Sequence, residues 1–123
     1  MSGRSTTVVV AFSVLLSMTV LSARTEPAAT IDCHIRATSQ GNTLRLEAMA
    51  KGEKAASGTY RFEVSKISSS GSSQNVQSGA FRLQPDRDEL LTTVILDGSA
   101  LGHYRARLTL DTAEFGSVSC ALP

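Results

Sequence analysis

A chain of 123 residues with 12 Lys and Arg against 11 Asp and Glu has length for one domain and lacks the basic excess of a general nucleic-acid binder. The absence of Trp and an aromatic content of only 5% also argue against a stacking groove for bases or sugars.

Residues 1–23 read as a secretory leader. Arg4 supplies a positive start, residues 8–12 and 14–21 an apolar core, and Leu21-Ser22-Ala23 a small-residue cleavage site. No basic stop-transfer cluster follows, and Ser and Thr interrupt the run, so cleavage after Ala23 is expected rather than a membrane anchor. No Cys directly follows the apolar core, which argues against a lipid anchor. Cleavage removes Arg4 and leaves basic and acidic residues in balance. Residues 24–30 form a loose tail in which Pro27 discourages regular structure.

From residue 31 to 123 the dominant period is two. Ile31, Cys33, Ile35 and Ala37 alternate with Asp32, His34 and Arg36. Leu44, Leu46, Ala48 and Ala50 alternate with Arg45, Glu47, Met49 and Lys51. Tyr60, Phe62 and Val64 alternate with Arg61, Glu63 and Ser65. The serine-rich segment 68–73 reads as a flexible loop, and 74–83 as a strand with Gly79 as a bulge. Residues 90–96, apolar on both faces, suit a more buried strand. Tyr104, Ala106, Leu108 and Leu110 alternate with Arg105, Arg107 and Thr109, and Gly116 breaks the pattern of a last strand over 114–122. Turn signals separate the runs, among them Ser39-Gln40-Gly41-Asn42, Pro85-Asp86-Arg87-Asp88 and Asp97-Gly98. No segment carries a helical stripe.

Seven short strands at this spacing predict an all-β, immunoglobulin-like antiparallel sandwich. Its inward set is expected to include Ile35, Leu46, Phe62, Val64, Leu83, Ile95, Tyr104, Ala106, Leu108 and Val118. The segment 97–106 resembles a tyrosine corner, in which the Tyr104 hydroxyl would bond back to the backbone and pin the crossover between sheets. Cys33 and Cys120 are expected to form a disulfide, since an exported pair meets an oxidising compartment. Close spacing such as Cys-x-x-Cys, expected of a redox or metal site, is absent.

Little in the chain suggests catalysis. There is no Gly-x-Ser-x-Gly elbow and no phosphate-cradling glycine loop. His34 and His103 fall on outward phases and read as solvated. Asp86, Asp88 and Glu89 read as a turn rather than a calcium loop. The expectation is a protein that is not an enzyme, with no cofactor and no metal. If the run 60–64 is the third strand and 104–110 the sixth, they are neighbours, and Arg61, Arg105, Arg107 and His103 share one outer face with Glu63 opposing them. That face reads either as a solvated surface protecting the sheet or as an electrostatic docking face for an acidic or flexible partner.

The segments Leu44-Arg45-Leu46-Glu47-Ala48, Ser57-Gly58-Thr59-Tyr60-Arg61-Phe62, Ser72-Ser73-Gln74-Asn75-Val76-Gln77-Ser78-Gly79 and Val118-Ser119-Cys120-Ala121-Leu122-Pro123 carry a wider likeness. Over residues 31–123 the chain resembles the CsgH branch of the CsgC-like curli chaperones. The resemblance implies a bacterial periplasmic protein that keeps the major curli subunit from nucleating amyloid, through weak, electrostatically guided binding. It implies an unfolded or early-assembling partner; a monomer is expected, and the near-neutral composition argues against nucleic acid. Unlike the CsgC branch, the chain has no Cys-x-Cys pair, since His34 and Ile35 follow Cys33, so a redox role through such a pair does not carry over. Two rivals stand beside this reading: a generic exported immunoglobulin-like assembly module, which needs an apolar docking patch, and a small ligand-binding or inhibitor domain, which needs a pocket.

Overall fold

In the computed structural model, which describes Gly3 and residues 30–69 and 71–123, the alternating runs become strands. These are β1 (Ile31–Gln40), β2 (Thr43–Gly52), β3 (Ala56–Ser68), β4 (Gly71–Leu83), β5 (Asp88–Asp97), β6 (Tyr104–Thr112) and β7 (Gly116–Leu122). Apart from Gly3, the leader lies outside the described residues, as does the tail as far as residue 29. Among the described residues no helix is long and apolar enough to cross a membrane.

All strand pairs are antiparallel, in a three-stranded sheet of order β1-β2-β5 and a four-stranded sheet of order β4-β3-β6-β7. The fold is thus the expected immunoglobulin-like sandwich. β2 lies at the centre of one sheet and β3 and β6 at the centre of the other, so these three supply most of the core. Leu44, Leu46, Ala48 and Ala50 of β2 form one buried cluster with Phe62 and Val64 of β3 and Ala106, Leu108 and Leu110 of β6. Ile35 and Tyr104 pack against it, half-buried. Cys33 on β1 and Cys120 on β7 form the expected disulfide, with Cα atoms 5.8 Å apart, tying an edge strand of each sheet together.

Several expectations change with the tertiary context. Ile95 points outward and is 64% exposed, because β5 is an edge strand and Ile95 stands opposite Arg45 on the solvent face. Leu90 is also exposed, so β5 is not the doubly buried strand its composition suggests. The bulge falls on β5: Ala48 pairs with Thr92 and Met49 with Leu90, leaving Leu91 as the extra residue, which packs against the core. Met49, on the wet phase of β2, is buried. Gly79 makes no bulge, and the β3–β4 register runs through it from Ala56 opposite Leu83 to Ser68 opposite Gly71. Its lack of a side chain serves the Tyr60 ring, from which a Cβ at Gly79 would lie only 3.0 Å. Residues 68–73 are not a long loop, since the strands close to a tight connection between Ser68 and Gly71.

The crossover from β5 to β6 is pinned without a tyrosine-corner bond, because the Tyr104 hydroxyl has no backbone partner among the described residues. Instead the Asp97 carboxylate accepts from the Ser99 N–H at 3.2 Å and caps a single 3-10 turn, Gly98–Ala100, whose Ala100 is fully buried. The Gly98 N–H donates to Asn42 O at 2.6 Å and the Ile67 N–H to His103 O at 2.9 Å, fastening the crossover to both sheets.

Candidate functional site

On a strand, successive side chains point to opposite faces. Phe62 and Val64 on β3 and Ala106 and Leu108 on β6 enter the core, so Arg61, Glu63 and Ser65 must face solvent beside Arg105, Arg107 and Thr109. The register sets them in rows: Arg61 opposite Thr109, Glu63 opposite Arg107, and Ser65 opposite Arg105. The two flanking strands extend the rows with small or uncharged side chains. Ser78, Val76 and Gln74 of β4 stand beside Arg61, Glu63 and Ser65, while Ser119 and Ala121 of β7 stand beside Thr109 and Arg107.

The structure brings all four expected residues to this side of the molecule. Arg61, Arg105 and Arg107 lie on the outer face of the four-stranded sheet, exposed. His103 sits just before β6, at the rim of a shallow cleft that it lines with Ser65, Ile67 and Arg105. The arginines are not equivalent. Arg61 Nε donates to Glu63 Oε1 at 2.7 Å, so its charge is largely matched. Arg105 and Arg107 make no ion pair among the described residues, so their charges are unmatched.

Two residues belonging to this face escaped the sequence reading. Arg82, near the end of β4, stands opposite Ser57 and shares the phase of Ser78 and Val76. Its place follows from alternation along β4 once Gly79 pairs in register with Tyr60 rather than bulging. Asp111 on β6, opposite Thr59, adds a second carboxylate, so Glu63 is not alone in opposing the cations. The face thus holds four arginines against two carboxylates. The outer face of the three-stranded sheet is differently balanced, with Arg36, Arg45 and Lys51 among Asp32, Glu47, Asp88 and Asp97. There Arg45 Nε lies 3.8 Å from Glu47 Oε1 and is buried without a hydrogen-bond partner among the described residues. The positive bias is therefore a property of one face.

The model of the family described as CsgH protein matches residues 32–122, all but the ends of the sandwich. The chain belongs to the CsgH family. Among solved structures, the solution structure of R. palustris CsgH is 26% identical with a TM-score of 0.66, covering 76% of this chain and 91% of that one. The E. coli curli protein CsgC shares the fold, with a TM-score of 0.64 at 17% identity, covering 76% of this chain and 99% of that one. A search of curated protein sequences finds no match. In this CsgH-family chain both cysteines are consumed by the disulfide between β1 and β7.

Proposed function

We propose that this protein is an exported, periplasmic chaperone that delays amyloid nucleation of a curli major subunit through weak, electrostatically guided binding, without enzymatic chemistry. Its membership of the CsgH family and the fold it shares with the curli protein CsgC support the link to curli. The leader and the disulfide fit an oxidising, exported setting. The observation that carries the mechanism is the arginine face, in which Arg105 and Arg107 stand exposed and without carboxylate partners on a cross-linked sandwich. Unmatched surface charge raises the rate of encounter with a chain of opposite sign more than it raises affinity. A frequent, short-lived encounter suits a holder that must release its client.

The test is fibrillation of the cognate curli major subunit, followed by thioflavin fluorescence, with the mature protein at substoichiometric amounts. The expected result is a lengthened lag that shortens again when Arg61, Arg105 and Arg107 are replaced by Ser. Undiminished inhibition by the folded triple variant would move the docking surface off the arginine face. An unchanged lag with the wild-type protein would remove the chaperone reading and leave a generic exported binding module.

A further inference from the structure

Exposed sheet edges carry free N–H and C=O groups that template further strands, so proteins keep them short, bulged or marked with charge and Pro. Three of the four edges here follow that rule. β1 carries Asp32, His34 and Arg36. β5 begins Asp88-Glu89, ends at Asp97 and is bulged at Leu91. β7 has 7 residues and is tied to β1 by the disulfide.

From Gly71 to Phe81, β4 has none of these protections among the described residues. It is 13 residues long, pairs with β3 in unbroken register, and holds no charged residue and no Pro from Gly71 to Phe81. Residues 71–76 are exposed on both sides of the strand. The first half-buried residue is Gln77, whose side-chain oxygen accepts a hydrogen bond from the Thr92 hydroxyl of β5. Before that point the strand runs along the margin of the sandwich as a row of Ser, Gln and Asn around Val76.

We infer that the free edge of β4 is a strand-docking site whose occupant is an extended, uncharged segment of an unfolded polypeptide, rich in amide and hydroxyl side chains. The inference deepens the proposed holding function and rests on it. Backbone hydrogen bonds along an edge supply affinity with little demand on sequence. Gln74, Asn75 and Gln77 add side-chain amides that continue the Asn and Gln ladders of stacked strands.

Charge selects among occupants. A cationic strand would lie beside Arg82, with Arg61 one strand further in. A second copy of this chain, paired through β4, would join two faces that each hold four arginines against two carboxylates in one continuous sheet. A neutral foreign strand meets neither penalty. When that strand is the end of a growing assembly, the next layers are β3, β6 and β7 of a folded domain, and growth at that end stops. One capped end per nucleus is enough for inhibition below equal stoichiometry.

The experiment uses the mature protein and a synthetic, end-capped peptide of about ten Gln, Asn, Ser, Gly and Val residues, a typical strand length or somewhat more. A counterpart with Lys at two central positions is the control. Amide hydrogen exchange by NMR should show several-fold slowing at alternate residues of 71–81 with the neutral peptide and none with the Lys peptide. Gln74 is exposed and its partner on β3 is Ser65 of the outer face, so Gln74→Lys and Gln74→Glu should leave the melting temperature near wild type. Both should abolish the slowing and shorten the fibrillation lag, because either sign on the edge blocks a neutral strand. Opposite responses from the two variants would reduce the effect to surface charge and overturn the docking edge. A concentration-dependent dimer in sedimentation, lost in both variants, would overturn it in favour of a second copy. Should the variants unfold, exchange in the wild-type protein decides alone. Lag extension without slowing at β4 defeats the edge and leaves the holding function, whereas slowing at β4 without lag extension defeats the holding function.

Discussion

Gly58 shows how one missing methyl group sets the spacing of two central strands. A Cβ there would lie 2.0 Å from the backbone oxygen of Asp111, and backbone gives way only if β6 moves off β3. Gly58→Ala should therefore cost about 1–3 kcal/mol by overpacking, seen as a lower urea midpoint. Gly79→Ala should cost less, because its obstacle is the Tyr60 ring, which can turn aside. Phe62 is fully buried and Ile95 is 64% exposed. Phe62→Ala should lose about 3–5 kcal/mol, while Ile95→Thr should stay within about 0.5 kcal/mol of wild type. Phe62 was legible beforehand because polar Arg61 and Glu63 flank it and fix its phase. Ile95 was not, since Val94-Ile95-Leu96 offers three apolar residues in a row and alternation cannot say which face is wet.

Elements were recovered where polar and apolar residues alternate without interruption, as along β2, β3 and β6. Composition misleads where it runs against pattern. The serines around Gly71 have low strand propensity, yet β4 begins there because β3 supplies a paired partner to Ser68. The Leu91 bulge has no signal of its own; it arises where β5 must keep Val94 and Leu91 against the core while starting beside Lys51. The disulfide joins β1 to β7 across a sequence separation of 87. These strands belong to different sheets and share no backbone ladder. Its loss in the Cys33→Ser, Cys120→Ser variant should cost up to about 4.5 kcal/mol in the chain-entropy model. Calorimetry should show a lower melting temperature with the sandwich still folded.

Across the molecule, net charge conceals the feature that matters most to the proposed function. The chain is close to neutral, but its two sheets face solvent with different balances of charge. Electrostatic guidance by the arginine face predicts that inhibition of fibrillation weakens as salt rises, since exposed charges are screened beyond about 8–10 Å near physiological ionic strength. Lag times measured over a salt series, each normalised to the subunit alone, test this; inhibition unaffected by salt would assign the effect to the β4 edge or to apolar contact. Export predicts that protein recovered from the periplasm lacks residues 1–23 by intact mass.

Alternation of side chains, turn residues and the two cysteines were enough to establish a seven-stranded sandwich, the inward phase of β2, β3 and β6 and the pairing of Cys33 with Cys120, because those depend on local periodicity and on which residues are available. The placement of Arg61, Arg105 and Arg107 on one face was within reach for the same reason, given that the third and sixth strands are neighbours. Which strands end a sheet is a different kind of fact. Edge and centre are assigned by long-range pairing, which no local pattern encodes. Only that pairing could show that β5 exposes Ile95 and that β4, uncharged from Gly71 to Phe81, ends its sheet.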